Sequence, residues 1–392
     1  MSAPSQAIIH LEDAVRLNQT AGFSLMVKPV GAVCNLACSY CYYSDTAAAG
    51  PHLQMSLPVL ENVIRSYAEA CEAPALHFLW HGGEPLIRGL DFFRKAVEWG
   101  RQYAGGRSVT HSIQTNGTLL TPAWADFFRK NHFLVGLSLD GPRDLHDRYR
   151  QDRGRKPSFD RVMAAWKLLQ DTGVEVNTLS TVNHASEGRG AEVYAFLKGI
   201  GSHYMQFLPV WESGPAADTS VSGEVYGRFM ADIFDVWVRQ DIGQYYVQLF
   251  DAALAAWCGL PPGVCTLGRR CEGTVVIEHQ GDVYPCDHAV CPGNRIGNLL
   301  ETPLRELMKR EEWERFAARK TASLPRRCLS CPWLPACQAE CPQHRNGANG
   351  VNGLCDGYRL FFAHAAPALD RMRALLSAGR APAELAHIQV RP

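Results

Sequence analysis

The chain has 392 residues, and its 39 Lys plus Arg balance 39 Asp plus Glu, so the formal charge of zero argues against a basic nucleic-acid-binding surface. No apolar run approaches the ~20 residues of a membrane span, and residues 1–21 lack a secretory signal pattern, so we expect a cytoplasmic protein without membrane association. Hydrophobic residues make up 46% and charged residues 20%, which indicates a folded chain rather than a disordered one.

Between residues 23 and 240, short β-rich apolar runs alternate with longer amphipathic stretches, as is typical of βα units in a parallel sheet. We predict six strands, at 24–30, 76–80, 108–114, 133–139, 175–182 and 204–210. A helix is predicted after each strand, at 58–71, 91–103, 123–131, 159–172, 191–200 and 225–239. Six units predict a partial (β/α)6 barrel of the α/β class, with functional residues where the strands end and the loops begin.

The rest of the chain is rich in Cys, Gly and Pro and predicts a different organisation. We divide the chain into an N-terminal extension (1–22), the barrel (23–240), a connecting helical segment (241–260), a small cysteine-rich domain (261–376) and a tail (377–392). The cysteine-rich domain ends in a C-terminal helix from residue 356. Fourteen cysteines in a protein expected to be cytoplasmic predict metal centres rather than disulfides, because that compartment keeps thiols reduced. Such centres stabilise small domains that have little core.

Three cysteines, Cys34, Cys38 and Cys41, follow the first predicted strand. A four-iron cubane held by three thiolates leaves one iron open for another ligand, whereas closed structural sites use four protein ligands. Tyr40 precedes the last thiol and can pack against whatever the open iron binds. The alternative is a zinc site, for which His52 is the nearest fourth ligand in sequence.

This motif, after the first strand of a six-unit barrel, resembles the radical S-adenosylmethionine (SAM) superfamily, in which the amino and carboxylate groups of SAM chelate the open iron. Gly82-Gly83-Glu84 after the second strand resembles the family's glycine-glycine-glutamate element, which receives the SAM ammonium. The resemblance implies further SAM contacts to ribose and carboxylate at Ser138 and Arg150, and to adenine through the backbone of Trp211. The alternatives for these three residues are, respectively, a strand-end cap, a solvated charge and core packing.

Leaving Cys291 aside, eight further cysteines lie between residues 265 and 355, which is enough for two four-thiolate sets. Their spacing resembles the SPASM domain, the extension that carries two auxiliary [4Fe-4S] clusters in peptide-modifying radical SAM enzymes. The resemblance assigns Cys265, Cys271, Cys286 and Cys341 to the nearer cluster, and Cys328, Cys331, Cys337 and Cys355 to the outer cluster. Two structural zinc sites are the alternative. Cys71, Cys258 and Cys291 are left as ordinary thiols.

Asp287 directly follows a predicted cluster ligand. We expect partial desolvation at the barrel mouth to raise its pKa towards that of a useful base, and the alternative is a solvated turn aspartate. Together with residues 285–287, several other segments resemble those of the anaerobic sulfatase-maturating enzymes, and the resemblance spans residues 24–376. They are Lys28-Pro29, Cys34-Asn35-Leu36, Tyr42-Tyr43, 114–119, 135–138 and 140–142.

In that family SAM is cleaved reductively, and the 5'-deoxyadenosyl radical removes a hydrogen from Cβ of a Cys or Ser in a sulfatase, which becomes Cα-formylglycine. The resemblance implies that Asp287 takes the thiol or hydroxyl proton and that an auxiliary cluster removes the second electron. It implies that Tyr43 and His81 orient the substrate. The alternative for Tyr43 is aromatic packing, and the alternative for His81 is a strand-end hydrogen bond.

The resemblance further implies three [4Fe-4S] clusters, SAM, a sulfatase polypeptide as substrate and a flavodoxin- or ferredoxin-like electron donor. The alternative function is a related enzyme that cross-links or oxidises a ribosomally made precursor peptide. A third possibility, from a different class, is a zinc-stabilised binding protein without catalysis.

Overall fold

The computed structural model describes residues 22–44, 54–211, 218–345 and 350–388. Almost all of the predicted N-terminal extension and the candidate zinc ligand His52 lie outside these ranges. All six predicted strands are present, within two residues at each end, and a short seventh follows. They are β1 (Ser24–Lys28), β2 (Ala75–Trp80), β3 (Ser108–Thr115), β4 (Phe133–Ser138), β5 (Glu175–Val182), β6 (Tyr204–Pro209) and β7 (Tyr246–Val247). Each strand pairs in parallel with the next, which confirms the barrel-type α/β sheet.

Helices fill the connections, as the 3.6-residue periodicity predicts. The helices of the barrel are α1 (Leu57–Ala70), α2 (Leu90–Tyr103), α3 (Pro122–Lys130), α4 (Arg143–Tyr149), α5 (Phe159–Thr172), α6 (Gly190–Gly199), α7 (Gly223–Gln240) and α8 (Gln248–Trp257). Helix α4 is too short for its periodicity to be detected, and the sequence did not predict it. Further along the chain are α9 (Leu304–Leu307), α10 (Glu311–Ala322), α11 (Arg326–Leu329), α12 (Leu334–Cys337), α13 (Cys355–Ser377) and α14 (Glu384–Ile388).

The cysteine-rich segment extends the barrel sheet, which the sequence did not predict. Strand β8 (Thr274–Glu278) pairs in parallel with β1 along its whole length. Strands β9 (Asp282–Tyr284) and β10 (Gly297–Asn298) continue antiparallel, so the order is β10-β9-β8-β1-β2-β3-β4-β5-β6-β7. Because β8 and its partner β1 are remote in sequence, no local pattern indicates their pairing. The carboxyl-terminal segment is therefore joined to the barrel by backbone hydrogen bonds, while the domain boundary at 261 stays a prediction.

The two faces of the sheet differ, as strand alternation requires. Residues such as Val27, Trp80 and Val135 are fully buried in a core formed with helices α1 to α3. The opposite, inner face carries polar groups, including Lys28 and Gln114. Functional side chains of a barrel are expected on this inner face and at the strand ends.

Helix α13 crosses α7 at very short range. A Cβ placed on Gly357 would come within 1.9 Å of the carbonyl oxygen of Gly223, and one on Gly227 within 2.5 Å of the carbonyl oxygen of Gly357. Any side chain at these positions would push the helices apart. The crossing fixes the C-terminal helix against the barrel.

Candidate active site

The three amino-terminal thiols lie in the loop after β1. The backbone N–H of Leu36 donates to Cys34 Sγ at 3.4 Å, and the Asn116 side-chain amide lies 3.7 Å from the same sulfur. Burial raises the pKa of Cys34 to about 12, with smaller contributions from Glu84, Cys38 and Cys41, which are close enough to interact with it. Burial also raises the pKa of Cys38 to about 11. Converging thiols with N–H donors aimed at sulfur suit a metal–sulfur centre, whose binding would displace the thiol protons.

The Gly82-Gly83-Glu84 turn packs directly against this loop. The N–H of Gly83 donates to the Gly31 carbonyl at 2.8 Å, and that of Glu84 to the Val33 carbonyl at 2.9 Å. Gly82 has φ +119°, and a Cβ on Gly83 would lie 2.1 Å from the Val33 carbonyl oxygen. Only glycine fits this approach, so the turn determines where the cysteine loop begins.

The Glu84 carboxylate is fully buried and already has protein donors. It accepts from Thr115 Oγ1 at 2.8 Å, from the N–H of Asn116 at 2.8 Å and from the N–H of Leu86 at 3.0 Å. Burial raises its pKa to about 7, although these bonds act in the opposite direction. Its predicted contact with the SAM ammonium stays a prediction, and the structure adds a role in holding the Thr115-Asn116 turn.

Arg150 is buried, so the solvated-charge alternative is wrong. Its Nε and Nη2 donate to the two oxygens of Asp140 at 2.9 and 3.0 Å. Tyr40 donates its hydroxyl to the same carboxylate at 2.5 Å, and the N–H of Thr181 donates at 2.9 Å. Burial acts to raise the pKa of Asp140, but Arg150 outweighs it and the pKa is lowered. The Asp140 carboxylate thereby connects the cysteine loop to the ends of β4 and β5.

Ser138 and Trp211, the other predicted SAM contacts, differ in their surroundings. Ser138 ends β4 and accepts a hydrogen bond from Gln114 Nε2 at 2.9 Å. The Trp211 ring packs on Gly353, where a Cβ would lie 1.8 Å from the ring. Core packing is therefore what the Trp211 side chain does, and its backbone contact with adenine stays a prediction.

Asp287 lies beside Lys28, which is fully buried at the end of β1. The two form an ion pair, and the Tyr42 hydroxyl donates to the Asp287 carboxylate. Burial acts to raise the pKa of Asp287, but Lys28, His81 and His288 outweigh burial and hold it well below its usual value. The expectation of a raised pKa is thus wrong, because the sequence did not reveal the buried cation. The carboxylate is only 14% exposed, so it is not a solvated turn residue either.

The two predicted substrate residues flank this pair. His81 Nδ1 is buried and has no hydrogen-bond partner among the described residues, and burial lowers its pKa. Tyr43 is buried, donates its hydroxyl to Glu278 and carries Lys28 Nζ 3.4 Å from its ring centroid. His81 therefore has a free ring nitrogen facing the site, whereas Tyr43 acts on the site through Lys28.

Sequence reasoning missed Lys28, Tyr42, Asn116 and Asp140 as site residues. All four were quoted only as parts of segments that resemble the family, without a role in the site. The available signal was the position of each polar side chain where a strand ends, which is where barrel chemistry is found. Lys28 gave the clearest signal, since a charged residue ending an apolar strand has to be paired when buried.

The structure brings together the four thiols predicted to form the nearer auxiliary set. Burial, with smaller contributions from neighbouring groups that include other thiols of the set, raises the pKa of both Cys286 and Cys341 to about 12. Lys320 is fully buried beside them and donates to the carbonyls of Cys265 and Thr266 at 2.7 and 2.6 Å. A buried cation next to four thiols offsets the negative charge that thiolate ligation would bring.

The four thiols of the predicted outer set line one cavity. Burial raises the pKa of Cys337 to about 12, and Glu340, which also lines the cavity, acts in the same direction. The Glu340 carboxylate is buried and accepts from His344 at 2.7 Å and Asn352 at 2.6 Å. A space enclosed by four thiols fits a cluster. Among the described residues, no three His, Cys, Asp or Glu side chains are close enough to share a single metal ion.

Comparison with known proteins identifies this arrangement. Residues 29–188 match the model of the radical SAM superfamily, and residues 265–332 match that of an iron-sulfur cluster-binding domain, SPASM. A serine-type anaerobic sulfatase-maturating enzyme of Bacteroides thetaiotaomicron is 44% identical over 387 residues, which cover 92% of this chain and 94% of that protein. The chain belongs to the anaerobic sulfatase-maturating enzymes. A cysteine-type member from Clostridium novyi is 32% identical, with 86% of this chain and 94% of that protein covered.

A solved structure of this family, native anSMEcpe with bound AdoMet and the Kp18Cys peptide, superimposes with a TM-score of 0.83. The two chains are 30% identical, and the superposition covers 90% of this chain and 99% of the anSMEcpe chain. The predicted fold is confirmed, and so is the prediction of a radical SAM oxidoreductase with [4Fe-4S] clusters, over the zinc alternatives. The matches also favour sulfatase maturation over peptide cross-linking. None of the helices in the described part of the chain has the length and apolarity to cross a bilayer.

Proposed function

We propose that this sulfatase-maturating enzyme oxidises a Cys or Ser side chain of a sulfatase polypeptide to Cα-formylglycine, with Asp287 as the base. When bound, SAM and the first cluster supply the radical that removes one hydrogen from Cβ, and the auxiliary clusters receive the second electron. Cys34, Cys38 and Cys41 would hold the first cluster. The nearer auxiliary set (Cys265, Cys271, Cys286, Cys341) and the outer set (Cys328, Cys331, Cys337, Cys355) would hold the others.

Around SAM, the proposed contacts are Tyr40, Gly82, Gly83, Glu84, Ser138, Arg150 and Trp211. The proton leaves the substrate hydroxyl or thiol for an Asp287 carboxylate oxygen. Lys28 pairs with this carboxylate and lowers its pKa, and Tyr42 limits its rotation through the hydrogen bond to its oxygen. His81 and Tyr43 orient the substrate, the first directly and the second through Lys28.

The observation that supports this proposal is the Asp287 pair itself. An ionised carboxylate directly follows Cys286 of the nearer auxiliary set, and its cation comes from the strand that leads into the first cysteine loop. Asp287 is thus adjacent both to the first cysteine loop, where the reaction starts, and to the nearer auxiliary set, which can remove an electron. A base is needed where these two meet, because loss of the proton lets the Cβ radical give up its electron.

The test uses anaerobically reconstituted enzyme, SAM, dithionite and a matched pair of sulfatase-derived peptides with Cys or Ser at the target position. We expect hydrazide-reactive product from at least one peptide and 5'-deoxyadenosine in proportion. Asp287→Asn should still form 5'-deoxyadenosine but lose most product. Unchanged turnover in this variant would remove Asp287 as the base, and a cross-linked peptide would favour the alternative function.

The electron donor is proposed to be a small flavodoxin- or ferredoxin-like protein in the cytoplasm. Dithionite in the assay would then be replaceable by a reduced flavodoxin with its reductase. Failure of every such carrier to support 5'-deoxyadenosine formation, while dithionite works, would contradict this part of the proposal.

A further inference from the structure

A fully buried cation, Lys320, lies in the last turn of α10 beside the nearer auxiliary set. Its ammonium group donates to the carbonyls of Cys265 and Thr266 at 2.7 and 2.6 Å. The N–H of Cys271 donates to the Ala317 carbonyl of the same helix at 2.9 Å. Two ligands of the nearer set are therefore held to one helix, on either side of a buried charge.

No carboxylate pairs with this charge. The two carbonyl oxygens are the hydrogen-bond partners of Lys320 among the described residues, and none of the Asp or Glu residues in those ranges forms an ion pair with it. The buried Glu340 acts on the pKa of Lys320, but its carboxylate is bonded to His344 at 2.7 Å. A buried cation without a counter-charge is unfavourable. We therefore expect the negative charge that balances Lys320 to come from another source.

The thiols of the nearer set can provide that charge. Burial lowers the pKa of Lys320, whereas Cys271, Cys265 and Cys341 act in the opposite direction and are thus close enough to interact with the ammonium group. Thiols lose their protons when they bind metal. A cluster with four thiolates has a net negative charge, and this charge grows when the cluster takes up an electron.

A second cation, Arg345, has donors without acceptors. Its Nη1 donates to the Ser323 carbonyl at 3.3 Å, but Nε and Nη2 are buried and have no hydrogen-bond partner among the described residues. Burial lowers the pKa of Arg345, and Cys328, Cys271 and Cys341 act in the opposite direction. Arg345 is therefore near thiols of both auxiliary sets. Cluster sulfur is an acceptor for such N–H groups, and hydrogen bonds to sulfur help to set a reduction potential.

We propose that Lys320, assisted by Arg345, raises the reduction potential of the nearer auxiliary cluster so that it can take the second electron from the substrate. The step moves one electron. The substrate Cβ radical, whose hydroxyl or thiol proton has gone to Asp287, is oxidised to a carbonyl or thiocarbonyl carbon, and the cluster is reduced by that electron. The added negative charge is attracted to the buried cations, so they stabilise the reduced state more than the oxidised state.

The inference rests on the proposed function, because it assigns these cations to the electron step of the same reaction. Lys320 and Arg345 are positioning residues in this scheme, since they act on the substrate only through the cluster. Their effect is on a potential, which can be measured without turnover.

The test is a redox titration of the cluster-loaded enzyme, followed by electron paramagnetic resonance. Lys320→Met removes the charge and keeps a long, unbranched side chain. Lys309→Met, at an exposed position between α9 and α10, is the control. Arg345→Gln and Arg345→Lys form a second pair, in which only the Lys variant keeps the charge. Iron analysis shows which variants retain about twelve iron atoms per chain.

Lys320→Met should lower one auxiliary potential, with the equilibrium constant for reduction falling about tenfold, or about 59 mV for a one-electron couple. Arg345→Gln should lower an auxiliary potential too, whereas Arg345→Lys and Lys309→Met should stay within about threefold of wild type. Unchanged auxiliary potentials in Lys320→Met would overturn the proposal. If Lys320→Met loses iron, the Arg345 pair decides, and equal potentials in Arg345→Gln and Arg345→Lys would overturn it.

Turnover separates this inference from the proposed reaction. In Lys320→Met, KM for the sulfatase-derived peptide should stay within about twofold while the ratio of formylglycine to 5'-deoxyadenosine falls, because only the electron step is impaired. If the potential falls but wild type makes no formylglycine, the proposed reaction is wrong and the effect of Lys320 on the potential stands. If wild type makes formylglycine and neither cation affects a potential, the reaction stands and this inference is wrong.

Discussion

Replacing Lys28 with Met removes the cation that faces Asp287 inside the protein. Lys28 is fully buried and the Asp287 side chain is 14% exposed, so the substitution leaves a largely desolvated carboxylate without its counter-charge. Breaking a buried pair from one side costs about 3–5 kcal/mol. Unfolding entropy of about 2.1 cal/mol/K per residue gives ~0.8 kcal/mol/K for a 392-residue chain, so Tm should fall by about 4–6 °C.

The effect on the base is smaller than the effect on stability. A neighbouring opposite charge lowers a carboxyl pKa by about 1–3 units, so its loss returns the pKa of Asp287 towards its ordinary value, still far below pH 7.5. Asp287 therefore stays ionised in Lys28→Met. Because the folded-state pKa is depressed, the ion pair contributes stability above the unfolded pKa of ~3.9 and loses it as the pH falls through the folded pKa. The difference in Tm between wild type and Lys28→Met should accordingly be constant from pH 6 to 8.

The assay is anaerobic calorimetry of the cluster-loaded enzyme, with Lys28→Arg as the conservative control. The double variant Lys28→Met/Asp287→Asn should recover most of the lost Tm, because it leaves no charge unpaired. The ratio of formylglycine to 5'-deoxyadenosine at pH 7.5 should stay above that of Asp287→Asn. A Tm for Lys28→Met within about 1 °C of wild type, or additive losses in the double variant, would refute the reasoning.

Two further predictions concern other parts of the site. Glu340→Gln removes a buried negative charge beside the outer thiols, so the reduction potentials of the auxiliary clusters should rise by roughly tens of mV. A redox titration followed by electron paramagnetic resonance measures this shift, and unchanged potentials would contradict the prediction. Gly83→Ala should displace the first cysteine loop and lower the iron content from about twelve to about eight atoms per chain. Gly199→Ala is the control, because a Cβ there meets nothing within 4 Å, and it should retain all the iron.

The parts of the structure that could be predicted from sequence are those with local patterns. Each βα unit carries its own periodicity, and Cys34, Cys38 and Cys41 identify themselves by spacing within one loop. The pairing of Lys28 with Asp287 has no such pattern, because the partners come from opposite ends of the chain. For the same reason the direction of the Asp287 pKa shift was predicted wrongly, since desolvation could be anticipated and the cation could not. Strand β8 was missed because its pairing partner, β1, is equally remote in sequence.

The parallel alignment of β8 with β1 fixes the first cysteine loop relative to the segment that carries Cys286, where we propose the first cluster and the nearer auxiliary cluster. Strand β1 leads into the first cysteine loop, and β8 is followed by the hairpin that carries Cys286. In the proposed reaction, the distance from the substrate, bound beside the first cysteine loop, to the nearer auxiliary set is thus set by a hydrogen-bonded ladder instead of a hinged linker. Its length cannot vary with the diffusive motion of one domain against another. Solvent viscosity should therefore leave the internal electron-transfer step unaffected, even where it slows the entry of substrate or the encounter with the external reductant.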